Sequence, residues 1–177
     1  DLCKTQDRQQ AYRYFKTQNV FCAVMAPICG PYGPLSHLNW HLHPETMRQK
    51  LAIARPVAKF CAAVALIQYS KGKHWIQEQP YPSNLYKESP WPSILRDERT
   101  HRIIYDRCMC GLRVLGGPHS GKALKKRSSM TASHPALLVP FKGLICDNRH
   151  QHLSGDGHPK EISAAQLWTF REASKVV

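Results

Sequence analysis

The sequence has few acidic residues, and this shortage constrains the partners that the chain can bind. Aspartate and glutamate number 12 against 25 lysines and arginines in 177 residues, which gives a formal net charge of +13. Such an excess favours a polyanionic partner, nucleic acid first and an anionic membrane surface second. The densest basic run, at residues 122–127, has a composition typical of phosphate-backbone contacts, and its cations are Lys122, Lys125, Lys126 and Arg127.

Long apolar runs and export signals are also lacking. No segment reaches about 18 uninterrupted apolar residues, and none combines a basic start, a short apolar core and a small-residue cleavage site. We therefore expect neither a secreted chain nor a transmembrane segment. The seven cysteines are odd in number and stand partly in apolar runs, which indicates a reducing intracellular compartment such as the nucleus or the cytoplasm.

Internal repeats of useful length are absent, and the composition suits one domain spanning residues 1–177. Apolar patterns predict strands at 19–26, 74–79 and 101–106, helices at 6–18 and 46–69, and a helical turn near 94–95. Strands that alternate with helices in this way predict an α/β fold with a partly parallel, Rossmann-like sheet in residues 1–110, in which the three predicted strands are neighbours. Residues 111–177 are expected to be irregular, apart from a closing helix at 162–176.

Two reactive side chains follow the first two predicted strands. Cys29 lies in the loop "PICGPYG", and Glu78 stands at the end of the strand "HWIQEQ". In an open parallel sheet, functional groups gather at the carboxyl ends of the strands, so we expect Cys29 and Glu78 at the same edge. A thiolate nucleophile beside a carboxylate suits covalent attack on an electron-poor ring. The alternative is a buried thiol that serves only packing.

These segments resemble the cytosine-C5 DNA methyltransferases. "PICGPYG" is similar to their Pro-Pro-Cys-x-x-Phe-Ser loop, and "QEQP" is similar to their Glu-Asn-Pro strand end. The likeness is closer to methyltransferase-like segments of retroelement and viral polyproteins, and it continues through "DRCMCGL" (106–112), "KKRSSMTAS" (125–133), "CDNRHQH" (146–152) and "SAAQLW" (163–168). The resemblance implies that Cys29 attacks C6 of a flipped-out cytosine, that Glu78 contacts the ring nitrogen, and that S-adenosylmethionine donates the methyl group.

The sequence departs from this family at several positions. Ile28, Gly33 and Gln79 replace a proline, a serine and an asparagine of the motifs, and Arg127-Ser128 replaces a Pro-Thr pair. No Gly-x-Gly loop precedes Cys29, so the half that binds S-adenosylmethionine is expected to be missing unless another chain supplies it. Two other interpretations stay open: a non-catalytic, zinc-stabilised basic module that binds nucleic acid, and a structural subunit of a larger complex of protein chains.

A cysteine and histidine cluster is the second candidate site. "CDNRHQH" places Cys146, His150 and His152 within seven residues, and the resemblance ties the segment of Cys108 to the same family. Two sulfurs and two imidazoles suit tetrahedral Zn²⁺, with Cys110 as a possible substitute for Cys108. The alternative is a solvent-facing, histidine-rich loop. Trp40, in the segment "HLNWHLH", is the tryptophan placed to stack on a base.

Overall fold

The computed structural model describes residues 1–34, 36–153 and 167–176, and its centre is a four-stranded mixed sheet. The strands are Cys22–Met25 (β1), His74–Pro80 (β2), His101–Asp106 (β3) and Arg127–Ala132 (β4), in the order β1-β2-β4-β3. β1 and β2 pair in parallel, whereas β4 runs antiparallel to both of its neighbours. The prediction of an α/β fold with a partly parallel sheet is therefore confirmed.

The expected pairing of the third strand is wrong. β3 does not lie beside β2, because β4 is inserted between them from the half of the chain that we expected to be irregular. β4 has the mostly polar sequence "RSSMTA", but its residues 128–132 are all buried. Thr131 Oγ1 pairs with the Tyr86 hydroxyl at 3.0 Å, and Ser129 Oγ donates to the Gln79 carbonyl at 3.3 Å. Hydrogen-bonded side chains thus make a polar strand acceptable at the sheet centre.

The described helices include those predicted at 6–18, at 46–69 and near 94–95, together with one at Ser36–Leu42 that the sequence analysis does not predict. They span Thr5–Thr17 (α1), Ser36–Leu42 (α2), Pro44–Ser70 (α3), Trp91–Arg96 (α4) and Phe170–Ala173 (α5). Four 3₁₀ turns, at Gly30–Tyr32, Asn84–Lys87, Arg107–Cys110 and Pro135–Phe141, complete the described elements. The predicted closing helix at 162–176 lies partly outside the described residues, which contain only α5 from that range.

The main core lies between α3 and one face of the sheet. Ala58, Ala62 and Ala65 of α3 are fully buried, and small side chains let Trp75 and Trp91 pack closely against the helix. The Trp91 indole N–H donates to the Ala58 carbonyl at 3.0 Å, which joins α4 to α3. Pro56 lies inside α3 without splitting it, although its ring nitrogen has no hydrogen to donate to the preceding turn.

The length and composition of α3 also match those of a membrane-crossing helix. Half of its most apolar 18-residue window is buried inside this fold. Its buried side chains belong to the core cluster with Ala23 and Met25 of β1, so here α3 acts as a core helix.

The opposite face of the sheet holds a second core. Ile76, Tyr105, Met130 and Phe141 form its buried centre. Arg107, directly after β3, forms a buried ion pair with Glu172 of α5: its Nε lies 2.5 Å from Oε1 and its Nη2 lies 2.6 Å from Oε2. Glu172 also accepts the Thr169 N–H in a capping box, so this pair fixes the last described segment to the turn that follows β3.

Candidate functional site

Four residues from two separate segments of the chain converge beside the end of β3. The possible ligand atoms of Cys108, Cys146, His150 and His152 all lie within 4.8 Å of one another. Cys146 Sγ lies 3.7 Å from His150 Nε2 and 3.5 Å from His152 Nε2. Both cysteines are buried, and the two imidazoles lie on the outer side of the cluster. This group can hold a metal ion.

The position of Cys108, one of the four possible ligands, is set by the end of a strand of the sheet. It lies in the turn Arg107–Cys110, which begins where β3 ends and closes with Gly111, whose φ of 82° favours glycine. Cys110, the alternative ligand, points elsewhere: it is fully buried in the second core, where burial raises the pKa of its thiol to about 11. The structure therefore selects Cys108 over Cys110.

Asp106 holds the Cys146 segment in place. Its Oδ2 accepts the Cys146 N–H at 2.9 Å, while Arg127 Nε and Nη2 donate to its two oxygens at 3.0 and 3.1 Å. Burial disfavours the charged carboxylate, but these hydrogen bonds outweigh burial and keep the pKa of Asp106 below its usual value. The sequence analysis missed this residue. The sequence contains only a weak indication of this role, which is a single acidic residue two positions before Cys108.

His152 is fixed by the backbone on the other side of the cluster. It forms an isolated bridge with Ala123, and the next residue, Leu153, donates its N–H to the Ala123 carbonyl at 2.9 Å. Ala123 itself packs against Cys108 and Cys146. Residues 112–124 thus form a narrow, hairpin-like segment, here called the platform, that packs against the possible ligands.

The protonation behaviour of the cluster suits a metal. Burial, together with His150 and Lys125, lowers the pKa of His152, so its imidazole is neutral near pH 7, the form that ligates metals. Burial and the neighbouring Cys146 raise the pKa of Cys108 to about 12. A thiol in such surroundings stays protonated unless a cation compensates its negative charge, and a bound metal ion is such a cation.

Cys29 follows β1 and Glu78 lies near the end of β2, so both stand at the same end of this parallel pair of strands. The turn that begins after Cys29 and the Glu78 side chain lie on different faces of the sheet. Tyr32, in the turn that Cys29 precedes, packs into the core on the α3 side. Glu78 is two residues after Ile76 and so shares its face of β2, where its charge helps burial to raise the pKa of Tyr105. Among the described residues, Glu78 Oε1 is buried with no hydrogen-bond partner.

Gln79 has a role that the sequence did not reveal. Its side-chain amide donates to the Pro27 carbonyl at 3.0 Å, and its carbonyl oxygen accepts from Ser83 Oγ at 3.2 Å. Gln79 therefore anchors the loop of Cys29 to β2, at the position where the resembling family has asparagine.

A largely apolar pocket of about 380 Å³ lies next to this loop. It is open at the outer edge of β1, and Asp1, Leu2, Phe15, Pro27 and Ile28 are among its lining residues. Neither Cys29 nor Glu78 belongs to the lining. The pocket can take a small, mostly apolar group beside the carboxyl end of β1.

The basic run begins in the platform of the cluster and ends in β4. Lys125 Nζ donates to Asn148 Oδ1 at 2.6 Å, and Asn148 lies between the ligands Cys146 and His150. Arg127 is bound to Asp106, so part of its role is structural, whereas the Lys122 side chain is exposed. Trp40 is half-buried in α2, in another part of the fold.

Comparison with protein-family models, with curated proteins and with solved structures finds no match to this chain.

Proposed function

We propose that the chain is a zinc-stabilised, basic nucleic-acid-binding module built on the catalytic-loop half of a methyltransferase-type, Rossmann-like fold. The observation that supports it is the convergence of Cys108, Cys146, His150 and His152 at one point, next to the basic run. The role proposed for the metal is structural.

The geometry of the ligands fits zinc. A tetrahedral Zn²⁺ with Zn–S near 2.3 Å and Zn–N of about 2.0–2.1 Å places sulfur and nitrogen about 3.6 Å apart. The two distances from Cys146 Sγ, 3.5 and 3.7 Å, agree with this value. Four protein ligands fill a tetrahedral shell and leave no position for water or substrate, which is the pattern of structural sites.

The metal would also organise the nucleic-acid contact. Without a metal, residues 146–152 are held by the Asp106 contact, the Lys125 contact and the His152 bridge. A bound ion adds ligand bonds that keep this loop against residues 122–127, so the cations are presented in a fixed arrangement. Preorganised cations bind phosphates better, because less side-chain and loop entropy is lost on binding.

Metal analysis combined with a binding titration tests this proposal. The native chain and a Cys3→Ser control, which removes an exposed thiol, should each contain one zinc per chain, and Cys146→Ser should contain none. Cys146→Ser should also lose affinity for labelled DNA or RNA at about 50 mM salt. Unchanged metal content in Cys146→Ser would refute the metal site, and loss of zinc with full affinity would refute its link to binding.

An enzymatic role is the second candidate, and the pocket beside the Cys29 loop is the observation that favours it. In this proposal, the pocket receives part of S-adenosylmethionine once another segment or chain completes the edge of β1, and Cys29 attacks cytosine. The same proposal implies a mobile-element or viral polyprotein origin, a larger assembly and an intracellular, reducing location. Calorimetric titration with S-adenosylmethionine distinguishes the two: heat of binding supports the enzyme, and its absence supports the module.

A further inference from the structure

A second basic surface lies far from the metal cluster, between α1 and α3. The two helices pack side by side and leave an open groove of about 540 Å³, within the range of roughly 300–1,000 Å³ that small-ligand sites occupy. Its lining includes Arg8, Arg13 and Lys59 as cations, Tyr12 and Phe60 as rings, and Pro56. The metal cluster lies beside the end of β3, which is the strand at the opposite edge of the sheet from β1, and its four residues are not among the lining residues of the groove.

The charge of the groove has one sign. Among the residues that the structure describes, no acidic side chain belongs to its lining. The Arg8 guanidinium is held rigidly, because it donates to the carbonyls of Leu2 and Cys3 at 2.8 Å each and to Thr5 Oγ1 at 2.9 Å. The side chains of Arg13 and Lys59 are exposed and make no hydrogen bond or ion pair with the described residues. Arg13 and Lys59 are therefore available to bind an anion, and the fixed Arg8 guanidinium lies in the same lining.

The groove also offers aromatic surface. Tyr12 and Phe60 are half-buried, so each ring is supported by packing and still accessible on the groove side. Lys16 lies over the Tyr12 ring at 5.1 Å from its centroid, which adds a further cation at the rim. Phosphate-binding cations next to accessible rings are the combination with which proteins bind unpaired nucleotides, because the base stacks while the phosphate pairs.

We propose that the groove between α1 and α3 binds single-stranded nucleic acid, with phosphates on Arg13 and Lys59 and a base on Tyr12 or Phe60. A single strand fits better than a duplex, because the bases of a duplex are stacked and paired inside the helix and cannot stack on the rings of the groove. This site is independent of the metal-linked surface and holds whether or not that surface binds nucleic acid.

Charge reversal with a matched control tests the phosphate contacts. Arg13→Glu with Lys59→Glu should weaken binding of a labelled single strand of about 12 nucleotides by about 10-fold or more and flatten the log-log salt slope by about 1.4. The control, Lys50→Glu with Lys87→Glu, changes the same charge at exposed sites outside the groove and should have a clearly smaller effect. Equal losses in the two double variants would overturn the proposal.

Photo-crosslinking tests the aromatic contacts. Irradiation of the native chain with oligo(dT) or oligo(U) should attach the oligonucleotide at Tyr12 or Phe60, and Tyr12→Leu should reduce affinity several-fold without altering the salt slope. Replacing Lys122, Lys125 and Lys126 together should leave this crosslink in place, which separates the groove from the metal-linked surface. Crosslinks confined to residues 122–127, or binding only to vesicles of anionic lipid, would overturn the proposal.

Discussion

At the scale of single residues, Asp106 connects more of the candidate site than any ligand does. It ends β3, orients the backbone of Cys146 and pairs with Arg127 at the start of β4. Metal ligands depend on such supporting groups, because these groups fix the direction in which a ligand atom points. The Asp106 side chain is fully buried, so water does not replace these contacts when one is lost.

The first prediction concerns Asp106→Asn. The amide keeps the size of the side chain but removes the negative charge that Arg127 binds, so we expect a loss of about 1.5–3 kcal/mol in the free energy of unfolding. Metal affinity should fall about 10- to 100-fold, because the support of Cys146 is weakened. Denaturant unfolding and a competitive chelator titration measure the two effects.

Asp147→Asn is the matched control for this substitution. Asp147 is the acid next to Cys146, and its ion pair with Arg149 is solvent-exposed on both sides. Exposed pairs contribute little, so its free energy of unfolding should change by less than about 0.5 kcal/mol. Equal effects of the two substitutions would show that Asp106 has no special supporting role.

The second prediction is the pH dependence that Asp106 creates. Its pKa is lower in the folded chain than the unfolded value of about 3.9, so its stabilisation is complete above that value and is lost as the pH falls through the folded pKa. The stability difference between the native chain and Asp106→Asn should therefore be constant from about pH 5 to 7 and shrink below about pH 4. Urea unfolding across this pH range measures it. A difference that does not change with pH would contradict the assignment.

The sequence could predict those ligands that lie close together along the chain. Cys146, His150 and His152 share one short segment, so their spacing alone suggested a metal. Asp106 could not be found in this way, because its partners Arg127 and Cys146 are 21 and 40 residues away. Such contacts exist only after the sheet has formed.

At the scale of elements, β4 is the least predictable part of the fold. Three of its six residues are serine or threonine, and its first residue is a cation, so neither alternation nor apolarity marks a central strand. The strand is stable at this position because both backbone edges are paired and its hydroxyls meet Tyr86 and Gln79. By contrast, the apolar and β-branched residues of β2 and β3 predict both strands, and the predicted bounds agree with the observed bounds to within one residue.

The third prediction tests the position of β4 by native-state hydrogen exchange. Backbone amides of residues 128–131 should be among the most protected in the chain, because both neighbours of the strand must separate before these amides reach water. The exposed loop at residues 115–118 is the internal reference, and it should exchange many times faster. Equal exchange in the two segments would mean that residues 111–177 form a separate irregular unit after all.

At the scale of the whole molecule, β1 is an outer strand of the sheet, and no strand within residues 1–34, 36–153 and 167–176 pairs with its free edge. β1 pairs with β2 on one side, and the apolar pocket opens beside it on the other. Phe21 and Val24, at 68% and 51% exposure, are unusually accessible for apolar residues in and beside a strand. The parallel pair of β1 and β2 could be predicted from the sequence, because a strand, a long helix and a second strand favour a right-handed crossover. What covers this edge cannot be read from local patterns.

The fourth prediction is that the 177-residue chain alone will not methylate DNA. Methyl transfer needs the thiol, the target carbon and the methyl donor in near-attack geometry, and no Gly-x-Gly loop precedes Cys29 to hold the donor. The Glu78 side chain also lies on the face of the sheet opposite the α3 core into which Tyr32, in the turn after Cys29, packs.

Transfer of a labelled methyl group to cytosine-containing DNA measures this activity, with Cys29→Ala as the control. We expect no incorporation above background with either protein. Incorporation by the native chain that disappears in Cys29→Ala would contradict the prediction.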